Sequence, residues 1–142
     1  MKIYLGSDHA GFAIKEFVKQ LLENRKIEVI DKGAFSYESV DYPDFAHKVA
    51  KHVANDEGLG ILICGSGNGI CMTANKHKKI RAALCWNAEM ASLAKAHNNA
   101  NILCMPGKYV TTLMAEEIVD AFLNTIFEGG RHQNRINKID NE

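Results

Sequence analysis

Short apolar runs alternate with helix-type segments along the whole chain, and this rhythm constrains the fold more than any other feature. It is the pattern of a parallel sheet with helices on both faces, because parallel neighbours cannot be joined by a tight turn and need a crossover. Leu59 to Cys64 is almost uninterruptedly apolar, as a central strand buried on both faces must be. Lys2–Gly6, Ile27–Ile30, Arg81–Trp86 and Asn101–Met105 read as the other strands.

The intervening segments carry helical periodicity. Ile14, Phe17, Val18, Leu21 and Leu22 share one face of a helix over Gly11–Asn24, and Phe45, Val49, Ala50 and Val53 share one face of a helix that Pro43 opens and Ala54 ends. Asn68–Lys76 reads as a short helix. Asn87 caps another through about His97, and Thr111 or Thr112 caps a helix running to Phe127, which Gly129-Gly130 should end. The expected architecture is a three-layer αβα, Rossmann-like fold with a five-stranded parallel sheet. The remaining tail, Arg131–Glu142, is polar but helix-compatible and has too little apolar surface to stand alone, so it is expected to pack on a partner subunit.

With 142 residues the chain supports one domain, residues 1–142, that buries roughly two-thirds of its unfolded surface. Seventeen Lys+Arg balance seventeen Asp+Glu, so no global basic field draws it to nucleic acid or to an anionic membrane. The longest uncharged stretch, Gly58–Asn75, is interrupted by Gly65-Ser66-Gly67-Asn68-Gly69 and lacks the roughly 20 apolar residues of a membrane span. Asp8 arrives before a secretion signal could form, and Cys64, Cys71, Cys85 and Cys104 include no Cys-x-x-Cys pair. These features point to reduced thiols and a cytoplasmic location. No cofactor or metal is expected, since no His/Cys set recurs at ligand spacing.

In open parallel sheets the chemistry sits beyond the carboxyl ends of the strands. The first strand ends in Gly6-Ser7-Asp8-His9-Ala10-Gly11 and the third in Cys64-Gly65-Ser66-Gly67-Asn68-Gly69. The alternate glycines allow a loop whose N–H groups gather on one oxyanion, or simply a tight strand-to-helix turn. They match neither a dinucleotide fingerprint nor a Walker loop. Cys64, directly before that loop and a helix N-terminus, is placed either as a thiolate base or as one more packed thiol. Asp8, His9 and His97 are the candidate proton-handling groups, with helix capping as the plainer role for Asp8. His47, His52 and His77, each beside lysine, fit a solvated surface. Arg131 and Arg135 share one helix face and suit either a phosphate clamp or a solvated surface.

Taken together, Gly-Ser-Asp-His-Ala-Gly at 6–11, Asp-Tyr-Pro at 41–43, Ile-Cys-Gly-Ser-Gly-Asn-Gly-Ile at 63–70, Ala-Asn-Lys at 74–76, His-Asn at 97–98 and Glu-Gly-Gly-Arg-His at 128–132 resemble the type B ribose-5-phosphate isomerases, a family that includes galactose- and allose-phosphate isomerases. The resemblance implies a metal-independent aldose-ketose isomerase acting on D-ribose 5-phosphate, in a homodimer or homotetramer whose site is shared between subunits. It also implies the roles. Cys64 would move the proton between C2 and C1, and Ser66 with the N–H groups of Gly65, Gly67, Asn68 and Gly69 would hold the enediolate. His97 with Asp8 would open the furanose ring; His9, Arg131 and Arg135 would hold phosphate, and Asn98 and Tyr42 would line the sugar. Ile70 stands where some members carry a glutamate base, so the chain matches the cysteine subtype, and Lys108 stands where many carry an arginine. Competing readings are an allose- or galactose-6-phosphate isomerase, a non-catalytic phosphosugar-binding module, and a domain whose glycines and cysteines serve packing alone.

Overall fold

The computed structural model describes residues 1–142. The strands are β1 (Lys2–Ser7), β2 (Glu28–Asp31), β3 (Leu59–Cys64), β4 (Ala82–Leu84) and β5 (Ile102–Pro106). The helices are α1 (Phe12–Asn24), α2 (Tyr42–Ala54), α3 (Asn68–Ala74), α4 (Ala88–Asn98), α5 (Thr112–Asn124) and α6 (Arg131–Ile136). All pairings are parallel, and the strand order is β2-β1-β3-β5-β4. The fold expected from the sequence, five parallel strands between helical layers, is the one observed.

Alternation along the central strands sorts their side chains between two cores. Ile3, Leu5, Ile61, Ile63, Leu103 and Met105 face α1, α4 and α5, where Val18, Leu22, Ile118 and Phe122 are fully buried. Tyr4, Leu62, Cys64, Ile102 and Cys104 face α2 and α3, against Val49, Val53 and Ile70. The central strand β3 is covered on both faces and therefore needs apolar residues along its length, which is why Leu59–Cys64 carries no polar side chain.

From β1 the chain moves outward to β2, then returns to place β3 on the other side of β1. The loops leaving β1 and β3 consequently diverge, and a crevice opens between them at the carboxyl edge of the sheet. Ser7 pairs with Ile63 and Cys64 with Pro106 at this edge, so β1, β3 and β5 all end beside the crevice.

Helix boundaries follow local chemistry. Asn87 and Thr111 are the caps of α4 and α5: the side chain of Asn87 accepts the Met90 N–H at 2.9 Å and that of Thr111 accepts the Met114 N–H at 3.1 Å. Two expectations need correction. Helix α5 ends at Asn124 rather than Phe127, because Thr125 turns its backbone extended while its hydroxyl donates to the Ala121 carbonyl at 2.6 Å. Gly129-Gly130 does not end it; both glycines have positive φ and lead into α6. The tail docks on its own chain, through buried His132 and through Asp140, whose carboxylate accepts the Lys79 N–H at 2.7 Å.

Candidate active site

At the carboxyl edge, hydrogen bonds clip successive loops together. Asp8 is buried; its backbone N–H donates to the Ile63 carbonyl at 3.3 Å, and its Oδ1 accepts the Gly11 N–H at 3.0 Å. One carboxylate oxygen thus ties the turn that leads into α1, but the helix itself is capped by Gly11 without a side-chain hydrogen bond, so Asp8 is not the cap read from the sequence. His9 lies beside it with Nδ1 accepting the Val40 N–H at 3.2 Å, which leaves the neutral ring its proton on Nε2, free to donate.

Cys64 ends β3 as a buried thiol, and its carbonyl accepts the Gly107 N–H at 2.8 Å. Gly65 follows with its carbonyl accepting the Lys108 N–H at 3.1 Å, so two backbone hydrogen bonds join the loops after β3 and β5. Gly67 takes φ of 78°, and a Cβ there would stand 2.5 Å from Leu84 Cδ1, so only glycine fits. Ser66 Oγ accepts both the backbone N–H and the side-chain amide of Asn68, each at 3.2 Å, and keeps its own hydroxyl proton for another acceptor. Tyr42 opens α2 and lays its ring over Gly69, where a Cβ would come within 2.7 Å of the phenol oxygen. The aliphatic stem of Lys108 lies within 3.5 Å of where a Cβ on Gly65 would be. Lys108, which stands where many family members carry an arginine, therefore lies over the loop with the cysteine.

Of the other thiols, Cys85 is pushed up to about 12 by burial and Cys104 is also pushed up by burial. Cys71 is held below the ordinary thiol value by a hydrogen bond with Cys104. All three are packed in the cores, as read from the sequence.

The other candidates lie at the opposite edge. A helix joining two parallel strands must run back against them, so α4 starts beyond the carboxyl end of β4 and delivers His97 and Asn98 near the start of β5. The Asn98 carbonyl accepts from Arg81 Nε at 3.0 Å, just before β4 begins. The length of β5 alone, about 13 Å, separates this edge from Cys64. Here His97 stacks on His132 with ring centroids 4.4 Å apart and planes 10° from parallel. Glu128 bridges the pair, its Oε2 3.8 Å from His97 Nε2 and its Oε1 3.6 Å from His132 Nε2. Arg131 and Arg135 project into solvent from α6, and a cleft of about 330 Å3 runs beside Asn98 between Ile80, Arg81 and Ile139. His97, Glu128 and His132 hold three ligand-type atoms within 4.8 Å of one another. Near-parallel rings do not aim two lone pairs at one point, so the trio is built as a stack and not as a metal cage.

One chain therefore gathers Asp8, His9, Tyr42, Cys64, Gly65, Ser66, Gly67, Asn68 and Gly69 at one edge of the sheet, and His97, Asn98, Arg131 and Arg135 at the other. His97 does not meet Asp8 within one chain. In the sequence Glu128 is no more than the first residue of the Glu-Gly-Gly-Arg-His motif, because its contact with two histidines depends on a chain crossing: its N–H donates to the Ala96 carbonyl at 2.9 Å, pinning the loop to α4.

The family model described as Ribose/Galactose Isomerase matches residues 3–139. The chain is 46% identical over 139 residues to ribose-5-phosphate isomerase B of Escherichia coli, covering 97% of this chain and 93% of that protein. A ribose 5-phosphate isomerase of Thermotoga maritima superposes with a TM-score of 0.97 at 52% identity, covering 99% of this chain and 98% of that one. Ribose-5-phosphate isomerase B of Mycoplasma genitalium, solved with bound ribulose-5-phosphate, superposes with a TM-score of 0.94 at 45% identity, covering 97% and 93%.

Proposed function

Because the chain belongs to the ribose/galactose isomerase family, we propose that it interconverts D-ribose 5-phosphate and D-ribulose 5-phosphate with Cys64 as the base. The observation that carries this reading is the position of Cys64, ending β3 at the crevice with the glycine loop folded directly after it. The relative from Mycoplasma genitalium, solved with ribulose-5-phosphate, supports a phosphopentose over a phosphohexose as substrate.

The chemistry runs through an enediolate. His97 opens the furanose, exposing the C1 aldehyde. The Cys64 thiolate removes the C2 proton, and the electron pair forms a C1–C2 double bond as O1 becomes an oxyanion. N–H groups of residues 65–69 and the Ser66 hydroxyl hold that charge, preorganised donation that contributes roughly several kcal/mol. A proton passes from O2 to O1, Cys64 returns its proton to C1, and O2 becomes the ketone. His9 donates from Nε2 to the phosphate, with Arg131 and Arg135 closing on it; Tyr42 and Asn98 line the sugar.

This set is assembled from two copies, the crevice of one facing the His97–Arg135 edge of the other, with the tail from Arg131 onward at the contact. Support comes from the two half-sites standing at opposite edges of one sheet. The reducing cytoplasm is the compartment this reading assigns, supported by four free cysteines and by the absence of any helix long and apolar enough to cross a membrane.

The test is direct. Purified protein with ribose 5-phosphate and EDTA should form ribulose 5-phosphate, and Cys64→Ala should lower turnover by about 10³-fold while phosphosugar binding persists. Undiminished turnover in Cys64→Ala would remove the base, and binding without C2-proton exchange in the unaltered protein would favour a binding module. Parallel assays on allose and galactose 6-phosphates read the substrate range.

A further inference from the structure

The stack on the far edge contains more than its proposed ring-opening histidine. Helix α6 is short, and His132 is its buried residue, 8% exposed, while Arg131, Gln133, Asn134 and Arg135 face solvent. An aliphatic side chain would fill such a packing position without a polar ring to desolvate. What an imidazole adds is a flat face, and it lies 10° from parallel with His97. Glu128 adds the second constraint. Its backbone N–H is bonded to the Ala96 carbonyl at 2.9 Å, one residue before His97 on α4, so the carboxylate is held at the Nε2 side of that ring. The 3.8 Å separation is an ion-pair distance, longer than a direct hydrogen bond, and it can be bridged by water or tighten on substrate binding. The cations on the surrounding elements are Lys95 on α4, Arg131 and Arg135 on α6, and Arg81 before β4; of the nearby acids, Glu89 lies in the first turn of α4, about two turns from His97, and Asp140 faces Arg81 and Lys79. Glu128 is the carboxylate that the ion pairs place against both histidines.

We propose that Glu128 and His132 are positioning residues for His97: Glu128 keeps the proton on Nε2, and the His132 ring fixes the imidazole plane, so that Nδ1 is presented to the sugar. The inference rests on the reading of His97 as the ring-opening group. Nδ1 then takes the proton from the anomeric O1 hydroxyl, the O1 electron pair forms the aldehyde carbonyl, the C1–O4 bond breaks, and O4 leaves with that bond's electrons and takes a proton from water. The imidazolium formed is stabilised by Glu128.

The two halves of the reaction can be read separately. Ribulose 5-phosphate is acyclic, because its O5 is esterified and no five-membered ring can close. Deuterium entry at its C1 in deuterated water needs only enolisation, whereas forming product from ribose 5-phosphate also needs ring opening. His132→Ala and Glu128→Ala should each lower isomerisation of ribose 5-phosphate about tenfold, while exchange into ribulose 5-phosphate stays within twofold of the unaltered protein. His132→Phe, which keeps a flat ring, should recover most of the loss. Equal losses in both assays, an unaffected His132→Ala, or a His132→Phe protein as slow as His132→Ala with an unchanged melting curve would overturn the proposal. Absence of both isomerisation and exchange in the unaltered protein would overturn the isomerase reading itself, and this inference with it.

Discussion

Sulfur chemistry in this chain is set by what surrounds each thiol. Cys85 sits at the end of β4 against α4 and α5, 1% exposed, and its burial moves it from 9.0 to about 12. A folded value above the unfolded one means the native state keeps a proton that the unfolded chain gives up. The stabilisation is complete below about pH 9 and is lost progressively towards pH 12, at about 1.4 kcal/mol per pH unit for one group. Cys85→Ala should therefore show a shallower fall in urea midpoint between pH 9 and 11 than the parent protein, even if it starts lower from lost packing. Identical slopes would mean another group carries the alkaline loss. The packing role of Cys85 was legible from its apolar neighbours; the role of Lys15 was not. Between Ile14 and Glu16 it reads as a solvated position, yet it is fully buried, with Nζ 2.6 Å from Asp31 Oδ2. Asp31 Oδ1 meanwhile accepts the Gly33 N–H, shaping the start of the loop whose Val40 holds His9. Such a contact joins α1 to β2 and becomes visible only once the strands are paired.

At the level of elements, β4 poses the usual hazard of an edge strand, because its outer N–H and C=O groups are open to a foreign strand. Asn75, just after α3, closes part of that edge with its side-chain amide. Oδ1 accepts the Ala82 N–H and Nδ2 donates to the Ala82 carbonyl, both at 2.9 Å, imitating a neighbouring strand. This gives physical content to the Ala-Asn-Lys motif at 74–76, whose sequence alone names no partner. Asn75→Ala removes two hydrogen bonds from a partly exposed strand and should cost about 1–3 kcal/mol, read as a lower urea midpoint. A change below about 0.3 kcal/mol would show that water replaces the amide without loss. Periodicity and caps made most elements legible, since Asn87 and Thr111 act within one turn of themselves. Strand order was not legible, because it depends on which apolar faces meet. The end of α5 was misread because Ile126 and Phe127 continue an apolar run after Thr125 has already left the helix.

On the scale of the molecule, the candidate residues are divided between two ends of one sheet. The separation was implicit in the sequence, since a helix between parallel strands must carry its last residues, His97 and Asn98, to the edge opposite the strand ends that hold Asp8 and Cys64. What motif spacing could not convey is which surfaces face each other. If two copies meet about a two-fold axis, each contact repeats reciprocally, and both crevices are completed at once. Complementation between inactive proteins then has a numerical signature. Cys64→Ala damages the crevice half and Arg131→Ala the far half, so each homodimer has two crippled sites. A mixed dimer has one site with both defects and one with neither. Full exchange of equal amounts makes half of the dimers mixed, and about a quarter of all sites intact. Activity should therefore rise from near zero in either protein alone to about a quarter of the unaltered specific activity after exchange, which native mass spectrometry can verify independently. Exchange without any recovery would place the whole reaction within one chain, and would require His97 and Arg131 to act from an edge that β5 holds about 13 Å away.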